Sequence, residues 1–138
     1  MLRPNSLYPE LVVGALIFNP KGQILLMKSR KWRNQYVIPG GHLDLGEKVE
    51  QALKREIKEE TSLNIYSLKF LNFREAVFDK HGWNNRHLIF FNYIAKTGSL
   101  DVKLNSEAQE YCWVSLDEAL RLPLLTYTRK TIEDYKSS

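Results

Sequence analysis

The chain has 138 residues, of which 43% are hydrophobic and 26% charged, with 20 Lys and Arg against 16 Asp and Glu. This composition predicts one globular domain over residues 1–138 and excludes a disordered or fibrous chain, while a net charge of +4 is too small to indicate stable nucleic-acid binding. The longest apolar run, residues 11–18, is too short to cross a membrane, and the single Cys112 cannot form an internal disulfide, so we expect a cytoplasmic monomer or homodimer.

The first half of the chain predicts three strands and then a helix. The apolar run at residues 11–18 is followed by Asn-Pro-Lys-Gly, a strong turn signal, so residues 23–28 are predicted to form the hairpin partner of the first strand. Residues 36–38 form a third short strand, which the sequence Pro-Gly-Gly then ends. From about residue 47 to residue 61 the apolar spacing becomes helical.

The second half predicts three strands and two helices: strands at residues 65–78, 87–95 and 110–114, and helices at residues 115–121 and 126–135. A polar loop at residues 79–86 joins the first two of these strands. Because strands and helices are mixed along the chain, we expect an α/β fold in which helices cover a mixed β-sheet.

The helix predicted at residues 47–61 has three carboxylates in its last turns, where the helix dipole disfavours negative charge. At about 100° per residue, its apolar face consists of Val49, Ala52, Leu53 and Ile57. Glu56 and Glu60 project from this same face, and Glu59 lies at its edge. Two carboxylates one turn apart on a half-buried face repel each other unless a cation compensates, and Mg²⁺ or Mn²⁺ does so well. The sequence therefore predicts that these three glutamates are metal ligands.

Two segments that precede this helix are also informative. The sequence KSRKWR at residues 28–33 has four cations, and it either binds an anionic ligand bridged by the metal or is a solvated basic loop. Gly40 and Gly41 are predicted to let the backbone turn sharply between strand and helix and to bring a backbone carbonyl close to the ion.

Gly41, Glu47 and residues 55–63 together match a family signature. The pattern G-x5-E-x7-R-E-U-x-E-E-x-G-U, in which U is aliphatic, is the Nudix box, and every fixed position matches except Ser62, where the family has glycine. The chain thus resembles the Nudix hydrolases, and MutT-like members in particular. Because that glycine resembles a helix C-cap, we expect Ser62 to cost about 1 kcal/mol or less without removing any chemistry.

The resemblance implies the Nudix fold, an α/β/α sandwich with a mixed β-sheet. By position, it implies metal binding by Gly40, Glu56, Glu59 and Glu60. It also implies that Arg55 and Glu47 form an ion pair that fixes the helix and its loop. In relatives a further glutamate outside the box binds metal or acts as the general base; our candidate is Glu107, with Glu110 second, and either could instead be a solvated loop acid. The general base would thus be a box glutamate, such as Glu56 or Glu59, or Glu107.

Residues that bind the substrate are predicted outside the box. The candidates for phosphate binding are Arg30, Arg33, Arg74 and Arg86. The candidates for stacking on a base are Trp32, Tyr36, Phe73, Phe78, Trp83 and Tyr127. Aromatic residues in such numbers also occur in ordinary packing, so the sequence leaves this choice open.

The resemblance implies a Mg²⁺-dependent hydrolase that cleaves the pyrophosphate linkage of a nucleoside diphosphate joined to another group. The form GGHLDLGE in a short chain favours a (d)NTP or related small nucleotide as substrate. The alternatives are a pyrophosphatase for ADP-ribose or dinucleoside polyphosphates, an RNA 5′-pyrophosphohydrolase, and a non-catalytic nucleotide-binding module. The retained box acids disfavour the last, and the distance of Cys112 from the box disfavours an isoprenoid diphosphate isomerase.

Overall fold

A computed structural model of the chain describes residues 8–80 and 85–138. Its elements are β1 (Glu10–Phe18), β2 (Ile24–Lys28), a 3-10 turn (Arg30–Trp32), β3 (Tyr36–Val37), β4 (Gly40–His42), α1 (Val49–Thr61), β5 (Tyr66–Val77), β6 (His87–Lys96), β7 (Glu110–Val114), α2 (Leu116–Ala119) and α3 (Thr126–Ser137). Each strand and helix predicted from the sequence is present, and its first and last residues agree with the prediction to within two positions. Trp83, a candidate for base stacking, lies outside the described residues.

The strands form one mixed sheet with β1 at its centre. β1 runs parallel to β6, from Glu10 opposite Leu88 to Phe18 opposite Lys96, and β5 pairs antiparallel with β6 at the edge. The predicted hairpin of the first two strands pairs only at Phe18 and Ile24. Beyond that point β2 pairs with β3 and, along its length, with β7, so β1 is free to pair with β4.

Alternating side chains of β1 pack against different helices, as the two-residue period of a strand requires. Val13, Ala15 and Ile17 belong to one core cluster with Ala52, Leu53 and Ile57 of α1. Leu16 belongs to a second cluster with Ala119 of α2 and Ile132 of α3. The expected α/β/α sandwich is thus confirmed. In the described part of the chain, no helix combines the length and the apolar composition needed to span a bilayer.

Gly40 and Gly41 form a strand, which corrects the sharp turn predicted from their sequence. Gly40 pairs with Gly14 and Gly41 with Val13 in the antiparallel β1–β4 ladder. A Cβ added at Gly40 would overlap the carbonyl oxygen of Val13. Glycine is therefore needed here for a close approach of two backbones and not for a turn.

Candidate active site

The last two turns of α1 place two carboxylates in the interior. Glu56 and Glu60 are 7% and 3% exposed, and they lie on the same face as the buried Leu53 and Ile57. The burial predicted from the helical spacing is confirmed for both. The side chain of Glu59, in contrast, is 55% exposed and contacts Arg55.

Glu107, from the loop between β6 and β7, joins these two acids. Glu56, Glu60 and Glu107 each have a carboxylate oxygen within 4.8 Å of the others, and we call these three residues the acidic cluster. Among the described residues, Glu59 is not part of it. Three carboxylates at this spacing provide the oxygen donors that a hard divalent cation prefers. The residues present therefore fit a magnesium or manganese ion.

The electrostatics of Glu60 support the same conclusion. Burial is the main cause that raises the pKa of Glu60 to about 9; the hydrogen bond from Gly40 lowers this pKa, and the neighbouring Glu56 and Glu107 raise it. That hydrogen bond runs from the backbone N–H of Gly40 to Oε1 of Glu60 over 3.0 Å. Without a cation, Glu60 thus holds a proton at neutral pH, and a metal ion would replace it.

The two glycines of β4 shape the floor beneath the acidic cluster. A Cβ added at Gly41 would overlap the carboxylate of Glu56, so a side chain at this position would displace that carboxylate. Gly40 presents its N–H to Glu60. The contact predicted for the Gly40 carbonyl and a metal ion stays a prediction.

Arg55 holds the acids of the box in place. Its guanidinium donates to Glu47 at 2.7 and 2.9 Å, to Glu56 at 3.0 Å and to Glu59 at 3.2 Å. It also donates to the backbone carbonyl of His42 at 3.1 Å, which ties α1 to β4. The bonds from Arg55, and then the backbone N–H of Asp44, lower the pKa of Glu47 to about 2. The ion pair expected between Arg55 and Glu47 is present.

A cleft with an empty volume of about 750 Å³, open to solvent, adjoins the acidic cluster. Glu60 and Glu107 line it, and so do aromatic and amide side chains: Trp32, Phe90, Asn92 and Tyr127. The rings of Phe90 and Tyr127 are stacked, with centroids 5.4 Å apart and an angle of 26° between planes. Acids and flat rings thus face the same space.

The predicted phosphate-binding arginines have different positions. Arg74 lines the cleft, where it donates to the backbone carbonyl of Lys130 and to the carboxylate of Asp134. Arg30 and Arg33 are exposed next to the 3-10 turn and are not among the residues that line the cleft.

Arg86 is not placed to bind phosphate, which corrects its prediction. It is 8% exposed, and its guanidinium donates to both carboxylate oxygens of Glu10, at 3.0 and 2.5 Å. His42 lies 2.9 Å from the same carboxylate. Burial opposes ionisation of Glu10, but the hydrogen bonds from His42 and Arg86 outweigh it and lower its pKa. Arg86 therefore completes a buried ionic network between β1, β4 and the start of β6.

Tyr36 also differs from its prediction, and Lys31 is a cation at the site that was not predicted individually. Tyr36 packs against the α3 side of the core with the ammonium of Lys28 over its ring at 5.2 Å, and it does not line the cleft. Lys31 lies 3.6 Å from Glu107, beside the acidic cluster. The basic segment was predicted either to bind an anionic ligand or to be a solvated loop, and its spacing alone did not single out this lysine.

The fold and the box together define the class of protein. Residues 9–135 match the model of the NUDIX domain family, so the chain belongs to the Nudix family. It is a Nudix hydrolase, an enzyme that cleaves phosphorus-containing anhydrides.

The chain is similar over most of its length to several characterised or structurally solved members of this family. The chain is 31% identical over 131 residues to the nucleoside triphosphatase NudI of Escherichia coli O81, covering 88% of this chain and 92% of that protein. A MutT Nudix hydrolase from Burkholderia pseudomallei has a similar structure, with a TM-score of 0.79 and 28% identity over 92% of this chain and 98% of that one. A MutT protein from Methanosarcina mazei gives the same score and identity over 96% and 97%.

Proposed function

We propose that this enzyme is a Mg²⁺-dependent pyrophosphohydrolase for nucleoside triphosphates or related small nucleotides. The observation that carries the proposal is the cleft, in which Glu60 and Glu107 of the acidic cluster face the same space as Phe90 and Tyr127. A ligand that fits has a polyphosphate at one end and a flat base at the other. The similarity to a nucleoside triphosphatase supports this substrate class.

The acidic cluster would hold the ion, together with Glu59 and the Gly40 carbonyl if these move toward it. We propose Mg²⁺ as the ion because Mg²⁺ is usually bound in proteins by a few carboxylates together with the phosphates of the substrate. When bound, such an ion supplies positive charge to the phosphates and increases the acidity of a water.

The protein's own residues would divide the remaining work. We assign the Glu56 carboxylate as the general base that accepts the proton of the attacking water, with Glu107 as the alternative, because both lie in the acidic cluster. Arg55 orients Glu56 through their 3.0 Å contact, and Glu47 fixes Arg55 in turn. Lys31, which faces Glu107, and Arg74, which lines the cleft, are the cations placed to meet the phosphates.

A hydrolysis screen with Mg²⁺ tests the proposal. The substrates are nucleoside triphosphates, including oxidised ones, ADP-ribose, dinucleoside polyphosphates, nucleotide sugars and 5′-triphosphate RNA, with products separated by ion-exchange chromatography. We expect the fastest turnover for a triphosphate, and the products identify the bond that breaks. A faster ADP-ribose, dinucleotide or RNA reaction would overturn the substrate class. Tight nucleotide binding without any cleavage would instead identify a binding module, and salt-sensitive affinity for long chains would favour RNA.

A cytoplasmic location also stays a proposal. It rests on the single cysteine and on the resemblance to bacterial enzymes. Fractionation of cells that express the tagged chain would test it.

A further inference from the structure

Asn92 of β6 lies at the inner wall of the cleft and is 4% exposed. Its amide Nδ2 donates to Oδ1 of Asn72 at 2.9 Å and to Oγ1 of Thr131 at 3.3 Å. Both protons of that amide group are therefore used. The hydroxyl of Thr131 donates to the Tyr127 carbonyl, so it accepts from Asn92.

The orientation of this amide is determined by a carboxylate on α3. Asp134, when ionised, can only accept hydrogen bonds, and the amide Nδ2 of Asn72 donates to it at 2.6 Å. The Oδ1 of Asn72 must then point toward Asn92, so Asn92 must donate to it with its NH₂ group. Asp134 thus sets the direction of donation along the chain Asp134–Asn72–Asn92, which we call the amide relay.

The amide relay leaves one acceptor over. Oδ1 of Asn92 lies on the side of Gly14, where a Cβ added to that glycine would be 3.5 Å from it, and both residues line the cleft. Among the described residues, no donor is hydrogen-bonded to this oxygen. Because both amide protons of Asn92 are already used and Asn92 lines the cleft, its Oδ1 is an acceptor that is available to a donor from a ligand.

We propose that Asn92 reads the nucleobase of the substrate by accepting a hydrogen bond from a base N–H, with its polarity fixed by Asp134. This inference rests on the proposed function and deepens it. The stacked Phe90 and Tyr127 form a flat wall of the same cleft, which suits the face of a base whose edge meets Asn92. The site accepts a ring or amino N–H and rejects a base that presents a bare acceptor or a methyl group there.

Base analogues test this readout in the wild-type enzyme. For the best triphosphate substrate, each base N–H is replaced in turn by C–H or N–methyl, and kcat/KM is measured with Mg²⁺. We expect one replacement to lower kcat/KM by about tenfold or more, because it removes the hydrogen bond that the base donates to Oδ1 of Asn92. Equal kcat/KM for all analogues would overturn the proposal.

Two variants show whether Asn92 is the residue responsible. In Asn92→Ala the same analogue series should be cleaved with nearly equal kcat/KM, whereas Asn64→Ala, an exposed amide outside the cleft, should discriminate like the wild type. Undiminished discrimination in Asn92→Ala would overturn the proposal. Should that variant fail to fold, Asn72→Ala serves instead, because it removes the acceptor that orients the Asn92 amide, leaves the Arg74–Asp134 pair in place and should reduce the discrimination.

The outcomes separate this inference from the proposed function. Turnover of triphosphates without analogue discrimination removes only the role of Asn92. Absence of turnover on every nucleotide removes the proposed function. In that case dissociation constants of the same analogues, measured by calorimetry, still decide whether Asn92 recognises a base N–H.

Discussion

Glu60 is a buried carboxyl group whose surroundings disfavour its charged form. It is 3% exposed, and its pKa of about 9 results mainly from burial. Glu56, one turn earlier, is buried to a similar extent but has the guanidinium of Arg55 at 3.0 Å. The two acids therefore differ in partner: Arg55 compensates the charge of Glu56, and we propose that a metal ion compensates the charge of Glu60.

Replacing the proposed general base, Glu56, should slow the reaction strongly. Glu56→Gln keeps the size of the side chain but cannot accept the proton of water, so we expect kcat to fall at least about a hundredfold. The control is Glu50→Gln, an exposed acid of the same helix, which should retain full turnover. Unchanged kcat in Glu56→Gln would remove this residue from the mechanism.

The glutamates of the box should differ in metal affinity. In calorimetric titrations, the dissociation constant for Mg²⁺ should rise about tenfold or more in Glu60→Gln and less in Glu59→Gln. The reason is that Glu60 belongs to the acidic cluster and Glu59 does not. An equal loss in both variants would show that Glu59 leaves Arg55 and joins the ion.

At the scale of elements, β4 shows how pairing can override local preference. Glycine disfavours strands, yet Gly40 and Gly41 are in register with β1: a side chain at Gly40 would overlap the backbone of Val13, and one at Gly41 would displace the Glu56 carboxylate. This three-residue strand supplies the Gly40 N–H for Glu60 and the His42 carbonyl for Arg55.

The helix end has a similar backbone requirement. Ser62 follows α1 with φ of 65°, in the left-handed region, where the family has glycine. Ser62→Gly should therefore raise the free energy of unfolding by roughly 0.5–1 kcal/mol in urea denaturation, with kcat unchanged. A destabilised variant would mean that the contact of the Ser62 hydroxyl with the Lys103 carbonyl matters more than the backbone.

A methyl group on β4 should disturb the acids without breaking the core. Gly41→Ala places its Cβ on the Glu56 carboxylate, so that side chain must move, and we expect kcat to fall at least about tenfold. Gly98→Ala, where an added Cβ meets open space, is the matched control. Full activity in Gly41→Ala would show that Glu56 can act from another position.

Local sequence patterns predicted most of the strands and helices and the buried acids of α1, but they did not predict the contacts between distant segments of the chain. Helical spacing placed Glu56 and Glu60 on the buried face, because periodicity is a local property. The partner of Arg86, in contrast, is Glu10, which lies 76 positions away and meets it only through the parallel pairing of β1 and β6. The role of Asn92 depends in the same way on residues of β5 and α3.

For the whole molecule, the unusual acids predict how stability varies with pH. Since the folded pKa of Glu60 is about 9 against an ordinary 4.5, the metal-free folded state binds more protons than the unfolded state between these values. Its stability should therefore fall as pH rises from about 5 toward 9. The lowered pKa of Glu47 acts in the opposite sense below 4.5, where stability is lost as pH falls toward 2.

Chemical denaturation in EDTA from pH 5 to 8.5 measures this slope. Glu60→Gln should flatten it, and saturating Mg²⁺ should raise the stability of the wild type most at the alkaline end. A slope that is the same in wild type and variant would contradict the burial of an ionisable Glu60.

The positions of the acidic cluster and the amide relay have a consequence for how such enzymes diversify. The acids come from α1 and one loop, whereas the residues that we propose to meet the base come from β6 and α3, with Asn72 of β5 orienting Asn92. Mutations in the second group can exchange one nucleotide for another while the hydrolytic machinery keeps its geometry. A lineage can thus acquire a new substrate through a few amide and aromatic substitutions, and selection for a different base can be designed without altering a single glutamate of the box.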